Sequence, residues 1–106
     1  MRKFLFLFFV FISSLGYSQK NIDSLFTIWN DTLQPSSKRL AAVSSFIINL
    51  KSTKADSALS ISNAMYQYAL GIDNNHYSAK ALNLKGVCLS VLNRNTEALN
   101  AYRGSL

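Results

Sequence analysis

Residues 78–106 read SAKALNLKGVCLSVLNRNTEALNAYRGSL, and the spacing inside this stretch decides the fold. Leu82, Gly86 and Leu89 stand at i, i+4 and i+7; a polar turn follows, and Ala98, Tyr102 and Ser105 then take up the same period. Apolar or small residues so spaced share one face of a helix. The stretch therefore predicts two helices folded back on each other, with Gly86 and Ala98 where the backbones approach most closely. Leu82, Leu89 and Tyr102 fill the space around that contact.

Two small positions combined with this aromatic resemble the tetratricopeptide repeat, whose hairpins follow an L-G-x-x-Y…A-x-x-x-F pattern. The resemblance implies an all-α chain of antiparallel helical hairpins stacked as part of an α-solenoid. Its repeat positions are Leu82, Gly86, Leu89, Ala98 and Tyr102. Lys85 departs from the pattern, since repeats of this kind usually carry a large aliphatic residue there, and a looser hairpin is expected.

Upstream, Leu40, Val43, Ile47 and Leu50 stand at helical spacing, with Ser44 in the place Gly86 holds later. Ala58, Ile61, Met65 and Ala69 continue on one face of a further helix ending near Gly71, so residues 36–76 read as a degenerate copy of the hairpin at 77–106. Thr53 and Asp56 have the form of a capping box, and either Ser36 or Ser37 could cap the helix after Pro35. The asparagine-rich segment Ile72 to Tyr77 reads as a polar turn, with the last two helices starting at Ser78 and Asn95. Leu82, Leu89 and Leu92 on one face and Leu84, Cys88 and Val91 on another predict a helix sandwiched between neighbours. Nothing reads as a strand.

The region 19–35 is a leading helix whose apolar face is Ile22, Leu25, Phe26, Trp29 and Leu33, broken by Gln34-Pro35. Before it, Arg2 and Lys3 precede the apolar run Phe4 to Ile12 and the small residues Gly16 and Ser18. This has the form of a signal peptide over 1–18 with cleavage before Gln19, because the run is well short of the ~20 residues a membrane-spanning helix needs. The chain is then exported, to a periplasmic or other extracytoplasmic space, and one small domain is the most it can form.

The formal charge of +6 falls by two when Arg2 and Lys3 leave with the signal peptide, and the remaining charges, such as Lys38-Arg39, Lys51, Lys54, Lys80, Arg94 and Arg103, are scattered among acids and polar residues. A solvated surface accounts for that scatter. Nucleic acid is not an expected partner, since it would call for a basic stripe with stacking aromatics. Cys88 is the only cysteine; within one chain it has no disulfide partner, and its apolar neighbours make it a buried small hydrophobe. His76 lies in the polar segment with no second ligand at metal-binding spacing. The acids Asp23, Asp31, Asp56, Asp73 and Glu97 are dispersed, and neither a nucleophile turn nor a phosphate loop is present. No catalytic, cofactor or metal residue is therefore expected. Asn63, Tyr66, Lys80 and Asn83 are the candidate groove residues, for a protein or peptide partner.

Ile22-Asp23-Ser24-Leu25, Trp29-Asn30-Asp31, Gln34-Pro35, Arg39-Leu40, Asp56-Ser57-Ala58 and Ala81-Leu82-Asn83, in this order, resemble the exported N-terminal region of bacterial tetratricopeptide-repeat adenylate or guanylate cyclases. In that group an extracytoplasmic repeat array precedes a membrane helix and a cytoplasmic catalytic domain; related arrays precede sensor kinases. The resemblance implies a sensory or protein-interaction module without catalysis of its own, whose membrane attachment and output domain belong to a missing C-terminal part. Leu99, Tyr102 and Leu106 are expected to leave an apolar edge uncovered. That edge fits a truncated array or, as the alternative, a small secreted protein that forms a homodimer through its last helix.

Overall fold

The computed structural model describes residues 22–106, and every regular element in that range is an α-helix. The expected signal peptide, its expected cleavage site and the start of the expected leading helix lie outside the described residues. Helix α1 covers residues 22–30. It is followed by α2 (Ser36–Leu50), α3 (Ala55–Gly71), α4 (Asn75–Val91) and α5 (Asn95–Ser105). The chain is all-α over this range, as its periodicity predicts.

Successive helices run antiparallel. Along α4 and α5, Leu82 lies against Gly104 and Gly86 against Tyr102, while Leu89 packs with Ala98 and Ala101. Contacts that move up one helix as they move down the other define a hairpin. In α2 and α3 the same pairing brings Ser44 to Met65 and Arg39 to Tyr68. Helix α4 touches α2 as well as α3 and α5, so the four helices stack in order around one core.

That core is built from one stripe of each helix. Leu40, Val43 and Ile47 of α2, Ala58, Met65 and Ala69 of α3, and Ala81, Leu84 and Cys88 of α4 are all buried in one cluster. A smaller cluster of Leu89, Ala98 and Ala101 continues it toward α5, bridged by Leu59. Burying a leucine- or isoleucine-sized side chain stabilises by about 1.5–3 kcal/mol, and this stripe therefore sets the helix order. Position by position the two hairpins correspond: Leu40, Ser44 and Ile47 match Leu82, Gly86 and Leu89, and Ala58 and Ser62 match Ala98 and Tyr102. Ser62 is fully buried and donates to the Leu59 carbonyl at 2.7 Å. Where the second hairpin combines the smallest residue with a large ring, the first combines two serines.

Helix ends depart from the sequence expectations in several places. The helix face at 19–35 does not reach Leu33, because α1 stops at Asn30 and Leu33 is 92% exposed in the following turn. Asp31 organises that turn, accepting from the Leu33 amide at 3.0 Å and the Gln34 side chain at 3.2 Å. Neither serine caps α2: Pro35 holds the N-cap position, and Ser36 is already helical. Thr53 and Asp56 form no capping box, since Lys54 is the N-cap of α3 without a side-chain cap bond and Thr53 turns back to the Leu50 carbonyl. Asp56 nonetheless sits in the first turn of α3, where the helix dipole favours a negative charge.

Helix α4 begins at Asn75 rather than Ser78, because the Asn74 side chain accepts from the Tyr77 amide at 3.0 Å and caps it. The polar turn is thus only Ile72 to Asn74, and His76 lies in the first helical turn instead of a loop. Helices α3 and α4 end alike. Asp73 and Asn93 adopt left-handed φ values of 55° and 60°, and the amides of Asn74 and Arg94 reach back to Ala69 and Leu89. This is the Schellman closure, made here by residues whose short polar side chains tolerate the left-handed region, not by Gly71.

Candidate interaction surfaces

The four candidate groove residues do not converge. Lys80 and Asn83, three residues apart on one face of α4, line a cleft of about 500 Å³ with His76, Ala79 and Ser105. Asn63 lies instead in a second cleft of about 410 Å³ between α3, α4 and α5. Tyr66 is half-buried and packs against the core cluster. The structure thus places two of the four on one cleft, Asn63 on another and Tyr66 against the core.

At the first cleft, Lys80 stands with its ammonium 5.8 Å from the Tyr77 ring centre, and the His76 and Tyr77 rings meet edge to face at 5.1 Å. The second cleft has Leu59, Leu82, Leu89 and Ala101 as its apolar lining, with Asn63, Lys85 and Asn100 among its polar groups. Arg94 and Glu97, also on its lining, form a two-pronged ion pair whose second bond is 2.8 Å. Arg94 holds the Glu97 carboxylate below its ordinary pKa through this hydrogen bond. Both side chains are exposed, so the pair is a surface feature of small energetic weight.

The residues expected to be repeat positions are brought together. Gly86, Leu89 and Ala98 are buried, and a Cβ placed on Gly86 would stand 2.5 Å from Cε1 of Tyr102. Tyr102 is therefore committed to Gly86 and does not belong to the open apolar edge. Leu99 and Leu106 do, at 49% and 105% exposure. Val91, expected inside the sandwich, is 48% exposed at the end of α4.

Sequence reasoning placed Arg39 among the solvated charges, but it is the centre of a half-buried cluster. Its Nε donates to the Trp29 carbonyl at 2.9 Å and its Nη1 to the Tyr68 hydroxyl at 3.1 Å. The guanidinium carbon lies 4.6 Å from the Tyr68 ring centre and 5.5 Å from that of Trp29, and the two rings meet edge to face. Tyr68 in turn donates to Ser36 at 3.1 Å. Three helices and the corner between α1 and α2 are thus joined through one side chain. The signal was present: an arginine one position from the core residue Leu40, with a tryptophan in the preceding helix.

Cys88 is fully buried in the main cluster. Burial raises its thiol pKa, with Lys51 opposing weakly. A raised thiol pKa means the folded state keeps its proton above the pH where the unfolded state loses it, so this group favours folding at neutral pH and progressively less as pH rises through the alkaline range. Native protein is expected to resist an aromatic disulfide reagent at neutral pH and to react at once in denaturant. Rapid labelling without denaturant would show that α4 opens locally.

Among the described residues no group of three or more His, Cys, Asp or Glu side chains could hold a metal ion, and no helix is long and apolar enough to cross a membrane. Compared with known proteins, the chain matches no protein-family model, no curated protein and no solved structure at a significant level.

Proposed function

We propose that this chain is a tetratricopeptide-type helical-repeat module, exported by its N-terminal signal peptide, that works by recognising a protein or peptide rather than by catalysis. The observation that carries this reading is the register shared by the two hairpins, in which small residues at Ser44 and Gly86 and at Ala58 and Ala98 are all buried at helix crossings. Stacked hairpins of this kind are recognition scaffolds because each helix pair leaves a ladder of side chains free on its outer faces. The cleft at Lys80 and Asn83 is the proposed contact surface.

The order of the Trp29-Asn30-Asp31, Gln34-Pro35 and Arg39-Leu40 blocks supports a more specific proposal: that the module is the sensory front of a membrane signalling protein of the adenylate or guanylate cyclase kind. A second reading, a small secreted protein dimerising through α5, is favoured by the exposed Leu99 and Leu106. The mass of the native product, recovered from cells with an antibody to the region after residue 18, separates them. A species much heavier than residues 19–106 is expected for the signalling protein; a mass equal to that segment would overturn the cyclase assignment and leave the small binding protein.

A further inference from the structure

The cleft between α3, α4 and α5 shares no lining residue with the proposed contact surface at Lys80 and Asn83. Its origin can be read from the correspondence of the hairpins. Val43 in α2 and Lys85 in α4 each stand one residue before the small residue of their helix crossing. Val43 is fully buried in the core, whereas Lys85 is half-buried and lines the 410 Å³ space. A lysine in an apolar register keeps the site open, because its ammonium must stay near polar surroundings while its stem covers leucines.

The charges around it are not balanced at contact distance. Glu97 is taken by Arg94 through two hydrogen bonds; Lys85 also helps lower the Glu97 pKa through space, but among the described residues it has no hydrogen bond or ion pair at contact distance. Leu59, Leu82, Leu89 and Ala101 are the apolar part of the lining, which Lys85 shares with Asn63, Asn100 and the Arg94–Glu97 pair. Its volume falls within the roughly 300–1,000 Å³ of small-molecule sites. A lysine without a contact partner, amide side chains and aliphatic residues on one lining fit a small anion that carries an apolar tail.

We infer that this cleft binds a small monocarboxylate with a short aliphatic tail, its carboxylate on Lys85 and its chain against Leu82 and Leu89. Lys85 sets the sign of the ligand's charge and the leucines its tail. The site is independent of the proposed contact surface at Lys80, and either assignment could fail without the other.

Octanoate is the probe. Titrated into the native protein and followed by methyl NMR, it is expected to give saturable shifts at Leu59, Leu82, Leu89 and Ala101. The neutral analogue octanamide should bind about tenfold more weakly, equivalent to ~1.4 kcal/mol. Lys85→Gln, which keeps length and polarity, should weaken octanoate by the same factor, and Lys85→Arg should restore it; unchanged melting of both variants shows that the fold is intact. Absence of saturable shifts, equal affinity for octanamide, or shifts centred on the exposed Leu99 and Leu106 would overturn the site. Binding of an acidic peptide with no response to octanoate would overturn it as well, in favour of a macromolecular contact.

Discussion

Replacing Gly86 by leucine is expected to destabilise the protein by about 1–3 kcal/mol or more, through overpacking against Tyr102. A Cβ on Gly86 would lie 2.5, 2.7 and 2.9 Å from carbons of the Tyr102 ring. These atoms form the body of a ring pinned between α4 and α5, not the mobile end of a chain. Gly86→Ala gives the finer test. Alanine gains roughly 1 kcal/mol of helix propensity over glycine in mid-helix, yet its methyl meets the same ring, so a net loss is expected wherever the clash exceeds that gain. Tyr102→Leu should relieve it, making the double variant more stable than the two single changes predict by addition. For a domain of this size each kcal/mol moves the melting temperature by roughly 4–8 °C, well within reach of circular dichroism. A Gly86→Leu protein that melts like the parent would sink the close crossing of α4 and α5, and the repeat reading with it.

That crossing was legible in the sequence because it depends on side-chain volume at fixed spacing, and volume is written in the letters. The buried face of α3 was almost as plain, apart from Ser62. A fully buried serine there breaks the apolar pattern, because its hydroxyl is satisfied inside its own helix by the Leu59 carbonyl. Helix ends were read less well. Thr53 and Asp56 have capping-box chemistry, yet the amides at the start of α3 find no side-chain acceptor at the N-cap. Asn74 has the composition of turn material, yet its side chain caps α4. Both cases turn on a backbone geometry of one residue, which composition cannot report.

The candidate surfaces were legible only in part, for a different reason. Lys80 and Asn83 share a face because three residues nearly complete a helical turn, and that follows from sequence. Asn63 and Tyr66 have the same spacing on α3, but Tyr66 is drawn into the core cluster while Asn63 faces the cleft beside α5. Which side of α3 faces inward depends on how α4 and α5 stack upon it, a tertiary fact. The same holds for Arg39. Charged residues usually end on the surface, and only the fold brings Tyr68, twenty-nine positions away, to its guanidinium.

Arg39→Met should therefore cost about 1.5–3 kcal/mol, the range for hydrogen bonds made by a charged group, with the loss concentrated at α1. Methionine keeps most of the apolar stem but has no donor, so the Trp29 carbonyl and the Tyr68 hydroxyl each lose a partner together with the stacking of the guanidinium on both rings. Arg39→Lys keeps the charge but not the planar fork, and an intermediate loss is expected. Tyr68→Phe should reproduce part of the effect, since it removes the hydroxyl that links Arg39 to Ser36. Trp29 is the only tryptophan in the chain, which makes its fluorescence a direct report on this corner. In the parent protein the fluorescence and helicity transitions in urea should coincide. In Arg39→Met the fluorescence is expected to shift to longer wavelength at lower urea than the helicity is lost, because α1 loses its hydrogen bond to Arg39 and is left with the Phe26–Phe46 and Trp29–Tyr68 ring contacts and apolar packing. If the two transitions remain superimposed at the parent's midpoint, Arg39 does not join α1 to the core, and the corner between α1 and α2 is held by the Asp31 turn and apolar packing alone.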